Sequence, residues 1–120
     1  MIVNIKNQKR KFSTDARIYS TVSSQIKGLM FTRKLKNNES ILLKFKEEKN
    51  IPIHMFFVFY PIDAVWINKS GSIVHIARNI RPFTPLVNPR KRALAILETA
   101  KNITSNLKLG DKLHINSGKF

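Results

Sequence analysis

No cysteine occurs anywhere in the chain. That excludes a disulfide framework, a thiolate zinc site and a cysteine nucleophile. Acidic residues are scarce as well. Asp15, Glu39, Glu47, Glu48, Asp63, Glu98 and Asp111 stand against 22 lysines and arginines, for a formal charge of +15. Phosphate-cradling loops of the Gly-x-x-x-x-Gly-Lys or Gly-x-Gly-x-x-Gly type are missing. So is a serine in a Gly-x-Ser-x-Gly elbow. No apolar run approaches the roughly 20 residues that span a bilayer, so membrane insertion is not expected. Met1–Lys6 lacks the continuous hydrophobic segment and small-residue cleavage site of a secretory signal, which makes the cytoplasm the expected location. There is no internal repeat and no low-complexity segment.

What remains is a chain of 120 residues with an ordinary apolar content of 42%. It reads as a single domain over residues 1–120, able to bury roughly two-thirds of its unfolded surface. The basic excess raises the local concentration of any polyanion and weakens the compact state by self-repulsion. It points to an anionic ligand or nucleic acid as partner. The alternative is a solvated basic surface, since lysines fall in nearly every segment and no basic run exceeds three (Lys9-Arg10-Lys11, Arg90-Lys91-Arg92).

The longest apolar stretch is Ile53 to Ile67, interrupted by His54, Pro61 and Asp63. Its β-branched and aromatic content predicts two buried strands hinged at Pro61, because proline cannot donate to a ladder. Upstream, residues 2–5 alternate weakly as a first strand, and Asn7 to Asp15 reads as a polar connection. Ala16 to Val22 alternates as a second strand. Ser23 or Ser24 is positioned to cap a short helix, Gln25-Ile26-Lys27, stopped by Gly28, with Leu29-Met30-Phe31 tucked under the core. Arg33 to Ser40 is a loop turning at Asn37-Asn38, Ile41 to Phe45 a strand with Leu43 and Phe45 inward, and Lys46 to Asn50 a charged loop. Asn68 to Ser72 closes a hairpin, with Gly71 in the left-handed position, onto a strand Ile73 to Arg78. Three prolines make Ile80 to Pro89 irregular. Arg90 to Asn102 fits helix by propensity and strand by alternation. Leu109-Gly110-Asp111 turns into a last strand, Lys112 to Ile115, with Asp111 bonding nearby backbone.

Gly28-Leu29-Met30, Leu42 to Phe45, Ile53 to Phe57, Pro61 to Ile67, Gly71 to Val74, Leu97-Glu98 and Leu109-Gly110-Asp111 fall in one order. Over roughly residues 16–115 this order resembles domain-of-unknown-function family 192, small proteins of bacteria and archaea. His54-Met55-Phe56-Phe57 stands where many bacterial members carry Trp-Met-Lys-Asn, as in archaeal-like members. Lys101 replaces a frequent glycine. The resemblance implies an α+β, β-rich fold: a compact, antiparallel, partly barrel-like sheet with one or two short helices. It makes Arg92 to Glu98 a strand and Ala100 to Asn106 a short helix. It implies structural roles for Gly28, Leu29, Met30, Pro61, Gly71, Gly110 and Asp111, and no established activity.

Asp63 is the most informative polar residue. If the 68–72 loop closes a regular hairpin, residues 65 and 75 lie opposite each other, and Asp63 shares a face with His75 at the 7–8 Å reach of diagonal neighbours. A one-residue slip abolishes that pairing. The alternative is an Asp63 that accepts backbone N–H bonds at a strand corner. His54 reads as a core histidine or a ligand group, and Glu98, if buried, becomes a site candidate. The histidines lack metal-ligand spacing, so no metal or cofactor is expected. Arg78, Arg81, Arg90, Lys91 and Arg92 surround a proline-rich loop bearing Phe83, a setting for a phosphate or a stacked base.

Three functions therefore stand. The first is a non-catalytic ligand- or partner-binding domain with a pocket near His54, Asp63 and His75. The second is a nucleic-acid-binding module driven by charge. The third is an enzyme using Asp63 with a histidine. Monomer and homodimer are both open.

Overall fold

In a computed structural model that describes residues 1–116, 118 and 120, the chain forms seven strands and one helix. In chain order these are β1 (Ile2–Asn7), β2 (Phe12–Tyr19), α1 (Val22–Lys27), β3 (Glu39–Asn50), β4 (Ile62–Ile67), β5 (Ile73–Ile80), β6 (Arg92–Ala100) and β7 (His114–Ile115). They make one sheet in the order β5-β4-β6-β3-β2-β1-β7. All pairings are antiparallel except β2 with β3, which run parallel. The sheet curls until its ends meet. Leu113 donates to the Gly71 carbonyl at 2.8 Å, and Ile73 donates to the Asp111 carbonyl at 2.9 Å. The partly barrel-like, β-rich architecture expected from the family resemblance is thus present. Among the described residues no helix is long and apolar enough to cross a membrane.

Both faces of the sheet are covered, and the central strands record it. Every residue of β4 is buried, as is every residue of β6 after Arg92. A strand buried on both faces reads as a continuous apolar run rather than as an alternation. Val65 and Ile67 of β4 join Ile5, Leu42, Leu97, Leu113 and Ile115 in the core enclosed by the curl. Ile62, Ala64 and Trp66 point the other way, into a second core with Leu43, Ile96, Ile53, Met55 and Val58. The residue alternation of a strand accounts for the division.

Several expectations are corrected. The 53–60 half of the apolar stretch is not a strand. Ile53 forms one bridge with Val87, and Met55 exchanges backbone bonds with residues 83 and 84. Ile53, Met55, Val58 and Tyr60 are buried, while Phe56, Phe57 and Phe59 face solvent. Trp66 Nε1 donates to the Ile51 carbonyl at 2.7 Å and pins the segment to β4. The connection read over Asn7 to Asp15 shrinks to residues 8–11, because Phe12, Thr14 and Ala16 supply inward positions to β2. Val22 opens α1 instead of ending a strand. Lys46 to Asn50 continues β3 beyond a bulge and pairs with β6, so charge there marks solvent exposure rather than a loop. Residues 101–106 are successive turns, not a helix. Lys112 makes only an isolated bridge to Ser72 before β7 begins.

Gly71 sits at the seam of the curl with φ +87, and a Cβ there would meet the Leu113 carbonyl oxygen at 2.9 Å. Gly110 also has positive φ, but a Cβ would meet open space. Gly110→Ala should therefore cost about 1 kcal/mol, the left-handed penalty alone. Gly71→Ala should cost about 2–3 kcal/mol, since backbone must also give way. Urea denaturation of both variants checks this; equal losses would mean that the seam is loose.

Candidate functional site

The second core is incompletely sealed. A cleft of about 300 Å³ opens between α1, the segment that follows it, residues 51–58 and the faces of β3 and β6. Thr21 builds one wall by capping α1. Its Oγ1 accepts from the Ser24 backbone N–H, and Ser24 Oγ accepts from the Thr21 N–H, both at 3.2 Å. The cap is thus Thr21, upstream of the expected Ser23 or Ser24, and Ser24 is its reciprocal partner. Gln25 Nε2 donates to the carbonyls of Tyr19 (3.2 Å) and Lys44 (2.8 Å), fixing the helix over β2 and β3. Gly28, at φ 47, ends it, and Leu29 drops into the core. Val22 and Ile26 are left exposed at the mouth.

Glu98 lies on the cleft floor with Leu43 and Ile62. It projects from β6, flanked by Ala64 of β4 and Ile41 of β3. The residue is 6% exposed, and among the described residues no side chain or backbone group donates to its carboxyl. Burial pushes its pKa up to about 7. Its oxygens open only onto the cleft, and a carboxyl largely screened from water with no compensating charge or donor resists ionisation. Near neutral pH Glu98 can therefore accept or donate a hydrogen bond, and it can take a cationic partner by giving up its proton.

The structure brings His54 and Glu98 to this cleft and places Asp63 and His75 elsewhere. His54 is exposed on the rim, not in a core strand. Its Nδ1 accepts from the Phe56 N–H at 3.1 Å. Asp63 is fully buried on the opposite face of β4. Its Oδ1 accepts from the Asn79 N–H at 2.9 Å, and its Oδ2 accepts from Thr104 Oγ1 at 2.6 Å and Thr104 N–H at 3.3 Å. The backbone-anchoring reading of Asp63 fits these contacts. The pairing of residues 65 and 75 slips by one, so His75 lies opposite Trp66. Its ring meets the indole edge to face at 5.1 Å. Burial, and then Lys91, lower its pKa and favour the neutral ring.

The basic group divides too. Arg78 donates to the carbonyls of Thr104 (3.0 Å) and Leu107 (2.6 Å), and Arg92 donates to the Glu48 carbonyl (3.0 Å). These two hold backbone. Arg81, Arg90 and Lys91 are exposed. Asp111 accepts from Arg10 Nε at 3.0 Å and from the Lys108 N–H at 2.9 Å, contacts that hold its carboxyl below the usual range. A second hollow of about 310 Å³ is lined by Asp15, Arg17, Arg33 and Glu39. Three of its charges have partners: Arg33 grips Glu39 at 2.9 and 3.0 Å and holds it down to about 2, while Asp15 accepts from Asn4 Nδ2 at 3.1 Å. A short helix before Gly28 was expected, but its place as a cleft wall was not, because six mostly polar residues give no amphipathic period.

Residues 2–115 match domain-of-unknown-function family 192, described as "Uncharacterized ACR". The chain belongs to that family. Two relatives are archaeal proteins of the UPF0127 group. One, from Thermococcus sibiricus, is 28% identical over 115 residues, covering 94% of this chain and 73% of the relative. The other, from Thermococcus kodakarensis, is 27% identical over 100 residues, covering 82% of this chain and 60% of the relative. Among solved structures, one described as a candidate transcription regulator of Sinorhizobium meliloti 1021 superposes with a TM-score of 0.87 at 21% identity. It covers 95% of this chain and 92% of its own. A protein of unknown function from Novosphingobium aromaticivorans gives 0.86 at 21% identity, over 95% and 84%. At that identity they show the shared fold alone.

The two buried carboxyls should respond oppositely to amide substitution. Asp63→Asn puts a donor against the donors of Thr104 and Asn79, and should destabilise by about 2–4 kcal/mol. Glu98 has a raised folded pKa, so the native chain holds a proton that the unfolded chain has lost between about pH 4.5 and 7. Stability is intact below that window and falls as pH rises through it. Glu98→Gln should therefore match the parent at pH 4 and exceed it at pH 8, by on the order of 3 kcal/mol. Chemical denaturation across pH checks both. A Glu98→Gln variant that is weaker than the parent at pH 8 would contradict the assignment of Glu98 as unpaired.

Proposed function

We propose that this chain is a non-catalytic binding domain whose ligand fills the cleft under α1. The ligand class is a small, mainly apolar molecule carrying one amine. The observation that carries the reading is Glu98: the one buried ionisable group of the cleft, on the floor of a mainly apolar lining that also includes Gln25, Lys27 and His54. Sites for small molecules combine apolar walls with a few polar groups that fix orientation. At about 300 Å³ the volume suits a compact molecule rather than a large cofactor. An ammonium group would stabilise the ionised carboxylate by charge-assisted hydrogen bonds, while Leu29, Met55 and Val58 would cover the apolar body. His54 stands at the mouth, where it would meet any polar tail. Asp63 and His75 belong to the scaffold in this reading, and the titratable groups left at the cleft are Glu98 on its floor and Lys27 and His54 in its lining.

Binding that draws the proton off Glu98 strengthens as pH rises through 7, for an amine that stays charged. The test is a thermal-shift screen of matched short apolar amines, alcohols and carboxylic acids at pH 6 and pH 8. Amines should raise the melting temperature, more at pH 8 than at pH 6. The rise should vanish in Glu98→Gln and survive in His75→Gln. A ligand at a hundred times its Kd adds about 2.7 kcal/mol, which is readily seen. Equal responses from parent and Glu98→Gln would overturn the reading, as would a preference for the acids.

A further inference from the structure

Four large apolar side chains of the kind a folded chain normally hides are here exposed and gathered together. Phe31, Phe57, Phe59 and Phe83 are 67%, 44%, 61% and 43% exposed. They are in mutual contact. Phe31 stacks on Phe57 at 4.8 Å and 20°, Phe57 meets Phe83 edge-on at 5.9 Å, and Phe59 meets Phe83 edge-on at 5.1 Å. Exposed apolar residues scattered singly need no explanation, whereas a joined cluster marks an interaction surface.

The backbone holds this cluster in place. Phe31, Phe57 and Phe83 all lie at positive φ, 59, 58 and 62°. Left-handed backbone at a bulky residue costs of order 1–2 kcal/mol and persists only where surrounding contacts enforce it. The contacts are present: the Phe31 N–H donates to the Phe57 carbonyl and the Phe83 N–H to the Met55 carbonyl, each at 2.9 Å. Three separate stretches of chain, at residues 31, 57–59 and 83, are thereby locked with their rings outward.

We infer that this cluster is a stacking platform for single-stranded nucleic acid. Two features select that occupant. The Phe31–Phe57 pair is already a stack, and the exposed outer face of Phe31 would receive a base as its next plane; such stacking tolerates any sequence because every base has a π-face. The flanking charge is basic. Lys27 lines the cleft beside the platform, Arg33 lies two residues after Phe31, and Arg81 lies two before Phe83. Glu39 is the acid that meets this group, and Arg33 already grips it. At a net charge of +15 a second copy of the chain is repelled and a phosphate backbone attracted. The ring contacts also argue against a bilayer surface, which needs apolar area but no ordered stack.

The test is fluorescence anisotropy with a labelled oligothymidine of about a dozen nucleotides, over a salt series, beside a duplex of equal length and anionic phosphatidylglycerol vesicles. The single strand should bind with a steep salt dependence and be preferred over the duplex. Phe31→Ala and Phe59→Ala should each weaken it about 10-fold, with melting temperatures unchanged because both rings are exposed. Arg81→Gln should weaken it less and lower the salt slope. Equal binding of duplex and single strand, indifferent to both phenylalanines, would overturn the platform in favour of charge alone. Vesicle binding lost in the same variants, without oligonucleotide binding, would overturn it in favour of a lipid surface. Loss of strand binding in Glu98→Gln but not in Phe31→Ala would transfer the ligand to the cleft and overturn the platform as well.

Discussion

The carboxylate of Asp63 is the contact on which the closure of the sheet depends. It sits in the middle of the chain, fully buried, and bonds to both sides: to Asn79 at the end of β5, and to Thr104 in the turns after β6. Arg78 grasps the same turns through the carbonyls of Thr104 and Leu107. That fixed turn delivers Leu107 to the enclosed core and sets residues 110–113 against Gly71 and Ile73. A buried charge is tolerated when hydrogen bonds satisfy it, and here three donors do so. Truncating such a group leaves those donors stranded.

Glu98 is its counterpart on the other face of the same sheet. Asp63 lies in register with Thr99, and Glu98 with Ala64, so the two carboxyls emerge from neighbouring strands in opposite directions. One is fully donated to; the other has no donor among the described residues. The difference decides their roles. An undonated carboxyl in an apolar cleft weakens the fold whenever it ionises, and a residue that lowers stability in the free protein is a natural point of contact for something that restores it. The platform of phenylalanines beside the cleft carries the same signature in its backbone, where three left-handed residues hold the rings outward.

Much of the fold was legible in the residues. The hairpin turning at Gly71, the strand from Arg92 to Glu98 (which runs on to Ala100) and the turn at Gly110-Asp111 follow from turn chemistry, apolar runs and the family resemblance. Asp63 as a backbone anchor was one of two open readings; the register slip at the 68–72 loop moves His75 across from Trp66 and off the face that carries Asp63. The failures share a cause. Apolar content points to burial at Phe56, Phe57 and Phe59, yet these rings face solvent. Charge points to a loop at Lys46 to Asn50, yet the strand runs on past a bulge. Composition reports what a residue prefers; positive φ at Phe57 and the bulge after Lys44 are tertiary choices that no local pattern encodes. Glu98 was visible only conditionally, because burial of a lone carboxylate depends on which strands flank it.

The most direct measurement is the carboxyl-carbon chemical shift of Glu98, followed by NMR from pH 4 to pH 9 in selectively labelled protein. A cleft dry enough to act as described keeps that group protonated well above the ordinary glutamate range, with a midpoint near 7. A midpoint near 4.5 would show the carboxyl fully hydrated or held by a donor, and would contradict both the mainly apolar cleft and the role given to Glu98.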